Sequence, residues 1–315
     1  MNIKTSIHDI FMPRRIMLRR LQSVFSRTLS LELNKNTANL VSRTLWDMTL
    51  HCKESGVSSE RLCSEEVVVS LTSYGNRIHE AHLAIESIMQ QTVKPNRIVL
   101  WLAEDEFKGK TLPVALQMQQ ERGLEIAFCE DLKSYNKLIH SLNRFPEACV
   151  ITVDDDSAYN FDVVEKLVIS HNANPSDICA LTMRELVFGD DGKLLPYADW
   201  PHRAEGSPSN NKLAFFLGVG GVLYPPHCFT EEVFNKEVFM EICGKQDDAW
   251  FNAMRLLNGV KVTKVFSSNP VGDLVPLPAT NYSPLRVKNV FGGGNNTAVS
   301  AVYGQYGLFD VLNNE

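Results

Sequence analysis

The sequence has no run of eighteen apolar residues, no two cysteines at CxxC spacing and no surplus of basic charge. The first absence excludes a helix that spans a bilayer. The second removes the usual spacing cue for a zinc site or a disulfide framework. The seven cysteines, at positions 52, 63, 129, 149, 179, 228 and 243, are odd in number and scattered, which suits a reducing, cytoplasmic compartment. The third, a formal net charge of −6, excludes a general nucleic-acid binder, since such a protein must neutralise phosphates. What remains is an ordinary globular balance. The chain has 315 residues, 44% hydrophobic and 22% charged, enough for one large domain or two modest ones and too apolar for disorder.

The charge is unevenly spread. Residues 1–30 hold six Lys or Arg against one acid, Asp9. Ile10, Phe11, Met17, Leu18, Leu21, Val24, Phe25 and Leu29 recur there at near-helical spacing. Arg14, Arg15, Arg19 and Arg20 break the apolar stretches, so the segment is a poor signal peptide. A basic amphipathic helix can pack on its own domain or lie on an anionic membrane surface. A second helix is expected around Leu40–Leu50, then a linker from Cys52 to Glu60. The expected organisation is a helical, basic extension over 1–64, a catalytic domain over 65–268 and a C-terminal lid or tail over 269–315.

From residue 66 strands and helices alternate. Val67–Thr72, Arg97–Leu102, Leu124–Phe128, Cys149–Val153 and Ile178–Met183 read as short buried strands. Helical spacing marks Ile78–Met89, Leu112–Arg122 and Ser134–Arg144. This rhythm predicts an α/β fold, a mostly parallel sheet with helices on both faces. Ligands of such sheets bind at the carboxyl ends of the strands.

The fourth strand runs straight into Asp154-Asp155-Asp156. Three adjacent carboxylates repel one another, and a hard divalent cation, Mg²⁺ or Mn²⁺, would relieve that repulsion. Asp154 and Asp156 can point to one side of an extended segment. One aspartate would be enough to cap the helix expected near Phe161; three favour a metal. A second acidic pair, Asp247-Asp248, precedes a helix over Ala249–Leu257, where carboxylates can cap, suit the helix dipole or act as a base.

Val69-Ser70-Leu71-Thr72-Ser73-Tyr74, then Arg77, then Ile85-Glu86-Ser87-Ile88-Met89-Gln90-Gln91-Thr92, then Pro95 and Arg97-Ile98-Val99-Leu100 resembles the opening of family-2-type glycosyltransferases, which have the Rossmann-like GT-A fold. Asp154-Asp155-Asp156 matches their DXD motif, and Gln246-Asp247-Asp248-Ala249-Trp250-Phe251 resembles their later acidic motif. The resemblance covers about residues 66–265. It implies that Thr72 and Tyr74 meet the nucleotide base and ribose, and that Arg77 reaches the phosphates. It implies that Asp131 and Lys137 close over the base and diphosphate. Asp154, with Asp155 beside it, would meet the donor or the metal, Asp156 would hold the metal, and Asp248 or Asp247 would be the general base. It also implies an inverting, metal-dependent transfer of sugar from a nucleotide diphosphate, first among them a UDP-sugar. The acceptor would be a hydroxyl of a glycan or lipid-linked glycan in cell-surface polysaccharide synthesis. The basic N-terminus suits an acceptor on the inner membrane face, with the enzyme peripheral there.

Three further features stay open. Phe215–Pro226 carries three glycines that suit either close backbone approach to a ligand or a tight turn; this run lacks the phosphate-loop pattern. Trp200-Pro201-His202-Arg203 could stack on an acceptor sugar or be a surface loop, with His202 a third metal ligand. Prolines 270, 276, 278 and 284, followed by Phe291-Gly292-Gly293-Gly294-Asn295-Asn296-Thr297, suggest a lid. No histidine follows His227, so Asn295 and Asn296 are the late candidates for the metal. Two rival functions fit less well. A nucleotidyltransferase would need a Gly-rich basic loop after the first strand, where Thr72–Arg77 offers one glycine and one arginine. A non-catalytic carbohydrate-binding protein would not need two acidic clusters.

Overall fold

The computed structural model describes residues 35–203, 208–267, 273–277 and 293–313. The basic stretch at 1–30 and most of the expected lid lie outside them. A helix over 35–51 (α1) leads through an irregular segment to β1 (Val67–Thr72), α2 (Ala81–Met89), β2 (Arg97–Ala103), α3 (Glu104–Phe107), α4 (Val114–Gln120), β3 (Leu124–Cys129), α5 (Asn136–Arg144), β4 (Cys149–Thr152), β5 (Ser157–Tyr159) and α6 (Val163–Ala173). Then come β6 (Ile178–Ala180), β7 (Met183–Glu185), β8 (Ala214–Phe216), β9 (Val222–Tyr224), α7 (Lys236–Cys243), α8 (Asp247–Leu257), β10 (Val262–Lys264), β11 (Leu274–Pro276), α9 (Gly294–Gln305) and α10 (Leu308–Asn313).

Seven strands form the central sheet in the order β10, β6, β9, β4, β1, β2, β3. Only β9 runs antiparallel to its neighbours. Val67, Val68, Val69 and Leu71 are fully buried, as expected of a strand covered on both faces. Alternation sorts the side chains. Val67, Val69, Leu71, Cys149 and Ile151 pack with Ile85 and Ile88 of α2 and with Val164 and Leu167 of α6. Val150, Val222 and Tyr224 pack with α5, α7, α8 and α9. The fold class read from the rhythm is therefore the one observed.

Three local readings change. The strand expected over 178–183 is two strands: β6 stays in the main sheet, and β7 leaves to pair with β8 in a separate ribbon. Every residue from Ile178 to Met183 is fully buried, so burial pattern alone cannot mark the bend. The segment from Cys52 to Glu60 is not a free linker. The Gly56 amide donates to the Arg122 carbonyl, the Ser58 amide to that of Pro95, and the Asn96 side chain to the carbonyls of Ser58 and Glu60. Trp200 is not at the surface; it is 2% exposed, edge-on to Phe215 with ring centroids 5.2 Å apart, and its indole N–H donates to the Leu195 carbonyl at 2.8 Å. It is a core residue and offers no stacking face to a sugar.

The helix expected near residues 40–50 is present. Leu45 packs on Leu83 and Ala84 of α2, Ala158 of β5 and Leu277. Among the described residues no helix is long and apolar enough to cross a membrane.

Candidate active site

Five chain segments meet at the carboxyl edge of the sheet: the end of β1, the start of α5, the turn after β4, the turn before β9 and the start of α8. That edge is where open α/β sheets offer ligands their crevice. Asp154, Asp155 and Asp156 occupy the turn between β4 and β5. They do not act as equals. Asp155 is 4% exposed; it accepts from Ser73 Oγ at 2.6 Å and pairs with Arg77. Asp156 keeps 38% side-chain exposure and lies 2.8 Å from the same guanidinium. Asp154 pairs with Lys137 Nζ at 2.7 Å, and its amide donates to the Tyr159 hydroxyl at 2.7 Å.

Lys137, on the first turn of α5, joins the two acidic clusters. Its ammonium lies 3.6 Å from Asp247 as well as 2.7 Å from Asp154. Burial works against its charge, but Asp154 and Asp247 outweigh burial and hold its pKa well above the ordinary value. The helix expected from Ala249 begins at Asp247, with Gln246 at its N-cap and no side-chain cap bond there. Instead Asp248 Oδ1 accepts from the Gly218 amide at 2.8 Å. Burial and the neighbouring Asp247 charge push the Asp248 carboxyl up to about 7, a value suited to a general base.

The same balance runs through the triplet. Burial, only partly offset by Arg77 and Ser73, pushes Asp155 up to about 6. Burial and the Asp154 charge raise Asp156. At Asp154 burial acts upward, but Lys137 overcomes it and the pKa is lowered. The donors on this edge are all carboxylate oxygens, the ligand chemistry of Mg²⁺ or Mn²⁺. Asp154 and Asp156, each paired with a cation but partly exposed, are the two that could hold such an ion; Asp155 is buried between Ser73 and Arg77.

Gly218 explains the glycine run. A Cβ there would stand 3.2 Å from Asp248 Oδ1 and 3.4 Å from Lys137 Nζ, so the backbone approaches the acid–base cluster itself. Gly220 and Gly221, at φ 97° and 109°, make the tight turn into β9. The tight-turn reading holds at Gly220 and Gly221; at Gly218 the close approach is to the side chains of Asp248 and Lys137.

Other expected residues lie nearby or apart. The Thr72 hydroxyl donates to the Trp101 carbonyl at 2.9 Å. Tyr74 is half exposed under the Arg77 guanidinium, 5.2 Å from ring centroid to carbon. Asp131 pairs with Lys133 and accepts its amide at 2.9 Å, and so contacts neither acidic cluster nor Lys137. Asn296 Oδ1 accepts from the Tyr197 amide at 2.7 Å, while Asn295 lies beside it on the first turn of α9. His202 bridges Arg184 at the rim of the small ribbon. Ser73 and Tyr159 complete the cluster without having been expected in it. Ser73 had a signal: it directly follows Thr72 at a strand's carboxyl end.

The cysteines are less scattered than their spacing implies. Cys63 and Cys149 meet Glu65 and His171 with all four ligand atoms within 4.8 Å of one another.

No family model and no curated protein sequence matches the chain. Solved structures do. Residues 1–349 of S. aureus TarS are similar at 15% identity and a TM-score of 0.45, over 64% of this chain and 58% of that one. The same protein in complex with UDP-GlcNAc is similar at 14% identity and 0.45, over 64% and 56%. CMP:2-keto-3-deoxy-manno-octonic acid synthetase complexed with CTP is similar at 14% and 0.38, over 66% and 93%. The chain thus spans little more than half of that TarS piece, and these are similarities of chain path alone.

Proposed function

We propose that the protein is an inverting glycosyltransferase that moves a sugar from a nucleoside diphosphate, UDP in the first instance, to a hydroxyl of a glycan or glycan lipid. One observation carries the proposal: Lys137 ties the Asp154–Asp156 turn to the Asp247–Asp248 helix start, so a donor site and a base share one edge of the sheet. Asp248, with a pKa near 7, takes the proton of the acceptor hydroxyl. The acceptor oxygen bonds to the sugar's C1 as the bond from C1 to the diphosphate oxygen breaks, and the electron pair leaves with the diphosphate. Attack opposite the leaving group inverts the anomeric centre. Gly218 holds Asp248 in place through its amide. Arg77 and Lys137 bring positive charge to the edge where the leaving group gains negative charge. Asp154 and Asp156 are the residues that would hold Mn²⁺ or Mg²⁺, which when bound supplies Lewis-acid stabilisation of the departing diphosphate. Tyr74 is exposed beside Arg77, placed for a base or ribose. The site belongs to a cytoplasmic enzyme, peripheral to the membrane if the basic segment at 1–30 contacts it.

The test uses the full chain, Mn²⁺ and a panel of nucleotide sugars, read first by thermal shift, since a ligand of the folded state raises the melting temperature. Nucleoside diphosphate release that needs a divalent cation and disappears in Asp156→Ala, with native circular dichroism, is the expected result. Full turnover in that variant overturns the metal assignment. Release of pyrophosphate would make the protein a nucleotidyltransferase instead.

A further inference from the structure

The Cys63–Glu65–Cys149–His171 cluster has no part in the chemistry above. It lies at the other end of the sheet: Cys149 is the first residue of β4, and the acidic turn follows the last, about 16 Å along the strand. Cys63 and Glu65 belong to the segment entering β1, and His171 to the last turn of α6. Cys149 Sγ is 3.3 Å from His171 Nε2 and 3.9 Å from Glu65 Oε2; His171 Nε2 is 3.4 Å from Glu65 Oε2. Bond lengths of about 2.3 Å to sulfur and about 2.0–2.2 Å to nitrogen or oxygen give tetrahedral edges of ~3.3–3.8 Å. The three edges among Cys149, His171 and Glu65 already have nearly those dimensions, and Cys63 Sγ lies within 4.8 Å of each of the three. Cys149 and His171 are fully or almost fully buried, and buried groups of this kind need partners. Two sulfurs and an imidazole are too soft a set for Mg²⁺ and match Zn²⁺.

We propose that Cys63, Glu65, Cys149 and His171 form a structural zinc site that clamps the segment entering β1 to β4 and α6. Four protein ligands close the site, which is the mark of a structural rather than catalytic zinc. On binding, the two thiols give their protons to solvent and their sulfurs bond the ion. No CxxC pattern announces the site because its ligands come from three separate elements.

The full chain, purified without chelator and dialysed against Mg²⁺, should retain one zinc per chain by elemental mass spectrometry. Cys63→Ser and His171→Ala should each weaken zinc affinity at least ~10-fold, whereas Asp156→Asn keeps the zinc, which separates this site from the acidic edge. Cobalt substituted for zinc should show a thiolate charge-transfer band that Cys63→Ser weakens. Should a variant fold poorly, chelation of the wild-type chain must lower its melting temperature and zinc alone must restore it. Zinc held equally by Cys63→Ser, or zinc lost only in Asp156→Asn, overturns the proposal. So does freshly purified protein that carries a Cys63–Cys149 disulfide and takes up no zinc after reduction.

Discussion

Glu86 and Asp248 are both carboxylates inside this fold, and they are treated in opposite ways. Glu86, on α2, is fully buried. It accepts from Arg122 at 2.9 Å, Gln119 at 3.0 Å, Gln90 at 2.8 Å and Thr49 at 3.2 Å. Burial pushes its pKa up, but Arg122 and the two amides bring it below the ordinary value. Asp248 has one amide partner and shares its nearest cation, Lys137, with Asp154 and Asp247. Its pKa is raised. A carboxylate with its own guanidinium holds helices together. One left short of positive charge holds its proton up to near-neutral pH, which is what the proposed base requires.

That contrast can be broken most severely at Asp248. Asp248→Asn keeps the shape and the Gly218 bond but removes the base, and should lower kcat by about 100- to 10,000-fold, measured as nucleoside diphosphate release. The variant should also melt higher than wild type at pH 8. The native state binds the Asp248 proton more tightly than the unfolded chain does, so its contribution to stability falls as pH rises from the ordinary value of 3.8 through about 7. The gain should vanish near pH 4; a lower melting point at pH 8 would contradict the raised pKa. By the same assignment, wild-type kcat/KM should climb with pH and level off above about 7, and Asp248→Asn should lose that rise.

Glu86→Ala should do the reverse. It strands the Arg122 guanidinium and should cost about 3–5 kcal/mol in urea unfolding, while the folded fraction keeps its activity. Glu86 contributes stability above its ordinary pKa that is lost as pH falls through its lowered folded value, so the variant should differ least from wild type in acid. Gly218→Ala probes the boundary between the two kinds of site. Its Cβ would crowd Asp248 and Lys137, and displacement of the base should cost up to ~100-fold in kcat with little change in melting temperature. The smallest effect is expected from Thr72→Val, which loses the bond to the Trp101 carbonyl and about 1 kcal/mol; unchanged urea midpoints would mean that the bond contributes nothing.

Much of this is legible in the sequence. The parallel strands announced themselves as β-branched runs, and the two acidic clusters stood at strand and helix ends where α/β sheets place ligands. Trp200 was not legible, because a tryptophan among polar neighbours looks the same whether its loop folds inward or out. The break at Leu181-Thr182 was hidden for a different reason: burial is complete on both sides of it. The Glu86 network was invisible because three of its four partners lie outside the local helical pattern, at Thr49, Gln119 and Arg122.

The order of residues by itself determined the elements, their amphipathic faces and where negative charge would accumulate, because periodicity and charge density are properties of neighbours in the chain. Only the tertiary structure decided which carboxylate received Arg77, which shared Lys137, and that Cys63 and Cys149 would meet. Those pairings span 17 to 110 residues and depend on strand order, which brings distant segments within the few ångströms where electrostatic and ligand forces act.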